Sequence, residues 1–250
     1  MRKNNSWINA LMAAMAAAAL GGCGGGGSSA GSTATVIPAA GTTFPLQTAI
    51  AQLYATGYQK SAAVSGTAAY AGTTYPVSGL VTLTMTPGAG STSFAGQTAL
   101  PETTSVSGSV TVNGQTVNLA SSEQGYLSSN YAPLGYTTPT TYCTAATPST
   151  YPAQVSVGQT GTVVTYDCYT NSSMSVATGT ETLGYVVKAS NSATTATVSV
   201  IDTFVNTANQ QTFSATDNYT IDTSGSLTLV SEAATETVSG ALLNLSLVVQ

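Results

Sequence analysis

The 250-residue chain contains no histidine, which excludes Ser-His-Asp triads, Cys-His pairs and the histidine-based zinc hydrolase motifs. Basic residues are almost as scarce: Arg2, Lys3, Lys60 and Lys188 are the only four. No serine stands three residues before Lys60 or Lys188, so a Ser-x-x-Lys dyad is missing too. Without clustered Lys and Arg there is no electrostatic footprint for nucleic acid or for anionic headgroups. Charged residues of both signs make up 5% of the sequence, so solubility rests on Thr, Ser, Asn, Gln and Gly. No apolar run reaches the roughly 20 residues a transmembrane helix requires. No EF-hand loop or Gly-Asp repeat array is present, and no cofactor motif is found.

What the chain does have begins at its N-terminus. Arg2 and Lys3 precede an apolar stretch from Ile8 to Leu20, followed by small residues, the order of a secretory signal peptide. The stretch ends in Leu20-Gly21-Gly22-Cys23, which resembles the lipobox of bacterial lipoproteins. The resemblance covers residues 1–23 alone. It implies cleavage after residue 22, acylation of Cys23 and a cell-envelope location held by the N-terminal lipid. Gly24 in place of an Asp directs the expectation to the outer membrane. Two or more acyl chains, at about 0.8 kcal/mol per buried methylene, hold a protein durably where one does so marginally. Residues 23–34 then form a lipidated Cys and a Gly/Ser tether, leaving 35–250 as a β-rich domain.

Assigning Cys23 to lipid leaves Cys143 and Cys168, the remaining two of three cysteines. In an oxidising compartment they have one possible pairing, a disulfide. Two isolated Cys with no His cannot complete a zinc shell, so no metal is expected.

Only one helix is expected in the mature chain, from Thr43 to Gly57. Leu46, Ile50, Leu53 and Tyr54 share a face there, Thr43 is placed as a cap, and Gly57 as the stop. A single apolar stripe implies that this helix packs on a sheet or plugs its open end. Everything after Lys60 alternates with period two. Val81, Leu83 and Met85 interleave with threonines, and Leu243, Leu245 and Leu247 with Asn244 and Ser246, which reads as antiparallel strands buried on one face. Val-Ser-Gly recurs at unequal intervals, against a fixed-period repeat. Asn113-Gly114 between alternating runs demands a two-residue type I′ hairpin, with Val112 opposite Gln115 and Val110 opposite Val117. Asp222 to Gly225 reads as another hairpin turn. The expected fold is all-β with one N-terminal helix: an antiparallel β-sandwich or a strongly curved β-meander of about eleven strands. Pro133, Pro139, Pro148 and Pro152 break up the segment at about 127–152, read as a long loop or a junction between two β halves.

No catalytic residues stand out, and the expectation is not an enzyme. Glu181, Asp202, Asp217 and Asp222 are the acids from which a glycosidase pair would have to be drawn. Tyr131, Tyr136 and Tyr142 in the proline-rich segment are the candidate contact surface for an envelope protein or a glycan, since tyrosine combines a flat apolar face with a polar tip. The leading expectation is therefore a lipid-anchored envelope protein of structural or adhesive type. The alternatives are a periplasmic carrier for a lipid-like or other small apolar ligand, a carboxylate glycosidase, and a transmembrane β-barrel.

Overall fold

Threonine and serine at every second position, with Val, Leu and Ala between them, give strands that bury one face and hydrate the other. The computed structural model describes residues 41–238 and 240–250. The signal peptide, lipobox and tether lie outside the described residues.

One helix and thirteen strands make up the described chain. Helix α1 (Leu46–Thr56) leads through Gly57 into β1 (Tyr58–Tyr70) and β2 (Thr73–Pro87). A short β3 (Thr92–Phe94) precedes β4 (Gln97–Val112), β5 (Gln115–Leu127), β6 (Pro133–Thr138) and β7 (Thr141–Ala145). After a loop come β8 (Thr160–Tyr169), β9 (Ala177–Ala189), β10 (Thr195–Asn206), β11 (Gln211–Asp222), β12 (Leu227–Val238) and β13 (Ala241–Val249). Neighbouring strands are antiparallel, β13 returns to β1, and β2 pairs with β4, so twelve strands close into a barrel with β3 left outside. The curved meander is the form observed, carried to closure; the sandwich is not formed.

The Asn113-Gly114 hairpin has the expected register: Val112 faces Gln115, Val110 faces Val117 and Gly108 faces Leu119. Both turn residues have positive φ, 51° and 73°, as type I′ geometry requires. The Asp222 turn is also as expected, its Oδ1 accepting from the Ser224 and Ser226 amides while Gly225 takes φ 88°.

Two expectations need correction. Thr43 does not cap the helix: Pro45 occupies the N-cap and no side chain bonds there. The segment at 127–152 is not a loop joining two halves, because β6 and β7 lie within it and complete the barrel wall. Proline is accommodated since Pro133 opens a strand and Pro139 sits in a turn, where no ladder amide is needed. Besides the short connections at 128–132 and 139–140, the stretch from 146 to 159 is loop. It folds with the helix, Phe44 pairing with Val155 and the Gln47 amide donating to the Pro152 carbonyl.

Helix and loop together close one end of the barrel. Leu46, Ala49, Ile50 and Tyr54 of α1 and Tyr151 and Val155 of the loop are buried in the main core, and α1 packs against β2 and β12. The plug has a physical cause. Eight strands give an interior that side chains fill, whereas sixteen or more leave a channel; twelve enclose more space than wall residues alone occupy. On the outside the strands present mainly Thr, Ser and Asn, with scattered exceptions such as Leu80 and Val248. A membrane-spanning barrel presents the reverse, an apolar band facing outward.

Candidate binding site in the barrel lumen

The inward face carries acids as well as hydrocarbons. Glu102 lies on β4, Glu123 on β5, Glu181 on β9, Asp202 on β10, Asp217 on β11, and Glu232 and Glu236 on β12. Only Asp167 and Asp222 of the nine acidic residues are absent from this group. The first six are no more than 5% exposed. A buried, unpaired carboxylate is costly enough that it takes up a proton or a counterion.

The lumen meets this cost with tyrosines and with the acids themselves. Tyr136 donates to Glu181 Oε2, and the Glu181 and Asp202 carboxyls are near enough to influence each other's protonation. Thr104 donates to Glu102 at 3.0 Å and Tyr219 to Asp217 at 3.2 Å. Tyr136 and Tyr166 meet edge to face at 5.9 Å. Burial is the largest influence throughout: it pushes the Glu102 and Glu236 carboxyls up to about 7. Glu181 and Asp202 are raised by burial, as are Asp217 and Glu232, which face each other across β11 and β12. Glu123 is raised by burial and then by the neighbouring Glu181 and Glu102 charges. Glu123 Oε1, Asp217 Oδ1, Glu232 Oε1 and Glu236 Oε2 have no hydrogen-bond partner among the described residues. Gly125 belongs to this design as well, since a Cβ there would lie 2.1 Å from Glu102 Oε1.

Two spaces open onto the acids. A small one of about 20 Å3, room for roughly one water, lies beside Tyr54, Tyr166, Glu102, Glu181 and Asp202 near the plugged end. The larger, about 540 Å3, is at the unplugged end, walled by Tyr136, Phe204 and Phe213 and reached by Glu181 and Glu236. Ser121 Oγ and Thr178 Oγ1 also line it, buried and without partners.

Cys143 and Cys168 form the expected disulfide, directly opposite each other on β7 and β8 with an S–S distance of 2.04 Å. The Glu181 carboxyl lies within 4.8 Å of both sulfurs, but a disulfide has no free thiolate to bind metal. The three tyrosines do not form one exposed surface. Tyr136 points into the lumen and is 5% exposed; Tyr131 is half-buried on the main core. Tyr142 is half-buried outside the wall against Phe94, 5.1 Å between rings. Of the acids singled out in the sequence, Glu181 and Asp202 come together, Asp217 pairs instead with Glu232, and Asp222 only builds its turn. No known protein family, curated protein or solved structure matches the chain.

Proposed function

We propose that the barrel is the ligand-binding domain of an envelope lipoprotein, a carrier or receptor that takes a small molecule into its mouth without catalysis. The observation that carries this reading is the cavity of about 540 Å3 at the unplugged end, within the roughly 300–1,000 Å3 of small-molecule sites. A structural or adhesive protein has no use for buried polar atoms left unpartnered around an open cavity, whereas a binder does. The plug supports the same reading, because the helix closes one end and leaves a single mouth. The chain enters at the plugged end, so a lipid at Cys23 would leave the mouth pointing away from the anchor.

The test is titration of unlipidated residues 23–250, carrying Cys23→Ser, with the neutral dye N-phenyl-1-naphthylamine. Saturable emission at one dye per chain is expected, and Ser121→Phe, which places a ring in the cavity, is expected to weaken it at least about tenfold with melting unchanged. Non-saturable emission, or saturable emission indifferent to Ser121→Phe, would refute lumenal binding.

A further inference from the structure

We propose that the mouth selects an organic cation, an amine or quaternary ammonium group joined to an apolar body, seated between Glu181 and Glu236 against the rings of Tyr136, Phe204 and Phe213. This rests on the lumenal-binding reading and names its ligand class.

The first argument is the sign of the lining. Two carboxyls from separate strands of the wall, β9 and β12, reach the same cavity, and no basic residue lines it. Lys188 is exposed on the wall, and Lys60 borders a groove beside α1 at the far end. Glu236 lines the cavity and its Oε2 has no partner among the described residues, so a donor from the ligand supplies a hydrogen bond instead of competing with an existing one. An anion would meet only acids, hydroxyls and the negative faces of rings.

The second argument separates organic from inorganic cations. A hard metal ion needs several oxygens converging at about 2–2.6 Å. Among the described residues no three carboxyl groups converge in that way; the one three-group cluster includes the bonded Cys143 and Cys168. Aromatic faces contribute nothing to such an ion but attract an alkylammonium within about 6 Å of the ring. Phe204 and Phe213 sit beside each other in one small apolar cluster at the mouth, which provides for the ligand's hydrocarbon. Protonation supports the choice: Glu181 faces Tyr136 on β6, Tyr166 on β8, Asp202 on β10 and Glu123 on β5, all neutral donors or further acids. A cation entering this group releases protons, and its affinity rises with pH across neutrality.

The experiment compares benzyltrimethylammonium with its neutral carbon isostere neopentylbenzene and with phenylacetate, each read by displacement of the naphthylamine dye at pH 8. The cation is expected to bind at least about tenfold tighter than the isostere. Glu236→Gln should erase most of that preference, measured as the ratio of cation to neopentylbenzene affinity within the same variant, and Glu236→Asp should recover part of it. Equal binding of the neutral isostere, tighter binding of phenylacetate, or a preference that survives Glu236→Gln would overturn the assignment. Dye binding without cation preference removes only the ligand class; loss of dye binding removes both readings.

Discussion

Raising the pH from 5 to 8 is expected to lower the melting temperature by at least about 10 °C, the reverse of ordinary acid denaturation. Acid usually unfolds proteins because carboxylates paired in the native state must be protonated. Here the inward acids are shifted the other way by burial. The folded chain therefore holds protons that the unfolded chain releases. Stability is fully present below the ordinary carboxyl value and is lost as pH rises through the folded value. For Glu102 these limits are 4.5 and about 7, which alone corresponds to roughly 3 kcal/mol. Glu123, Asp202 and Glu232 act in the same direction. A loss of several kcal/mol is a large part of a typical total of about 5–15 kcal/mol. At about 2–4 °C per kcal/mol for a chain of this size, the shift is readily measured. Calorimetric melts at both pH values decide the matter, and Glu102→Gln with Glu123→Gln should flatten the difference. Equal or higher melting at pH 8 would mean that the acids are charged and compensated.

Replacing both Cys143 and Cys168 with alanine is expected to cost about 3.5 kcal/mol on the chain-entropy model for a separation of this length. The bond ties five-residue β7, which is flanked on its other side by six-residue β6, to β8, where backbone ladders are least able to hold the sheet closed. Loss of the bond should therefore act locally as well as globally. Hydrogen exchange at the β6 and β7 amides is expected to accelerate far more than at the β4–β5 hairpin. Uniform acceleration, or a change in stability below about 1 kcal/mol, would show that the ladders suffice alone.

Much of the wall was legible because its outer face meets water. Val81, Leu83 and Met85, the Asn113-Gly114 register and the Leu243 to Leu247 alternation follow from period two alone. The lumenal acids were partly legible by the same rule. Glu181 has the parity of Leu183, Tyr185 and Val187, Asp202 that of Ala196, Val198 and Val200, and Glu102 that of Val106 and Val110. Acids ordinarily face solvent, so parity alone does not place them inside. Glu232 and Glu236 were hidden more deeply, since a bulge near Val230 switches the inward set from Leu229 to Glu232 and Ala234. Tyr136 was misread because alternation fails where both faces are covered. Pro133, Leu134, Gly135 and Tyr136 are all buried, the β3–β4 hairpin lying over their outer side through Phe94. Closure itself is a pairing of β2 with β4 across the intervening β3, and no local pattern records it.

That closure has a further effect on how copies of the protein behave together. Each of the twelve wall strands has a neighbour on both sides, though β5 meets β6 only over Gln124–Leu127, so open edge among the described residues is confined to stretches such as Gln115–Glu123 and to three-residue β3. Open sheet edges recruit other chains into aggregates, and proteins usually blunt them with lysine or other charges. This chain, with two lysines in its described residues and a threonine-covered exterior, has almost no charge with which to do so. Closing the ring shortens the edges that would otherwise need such protection.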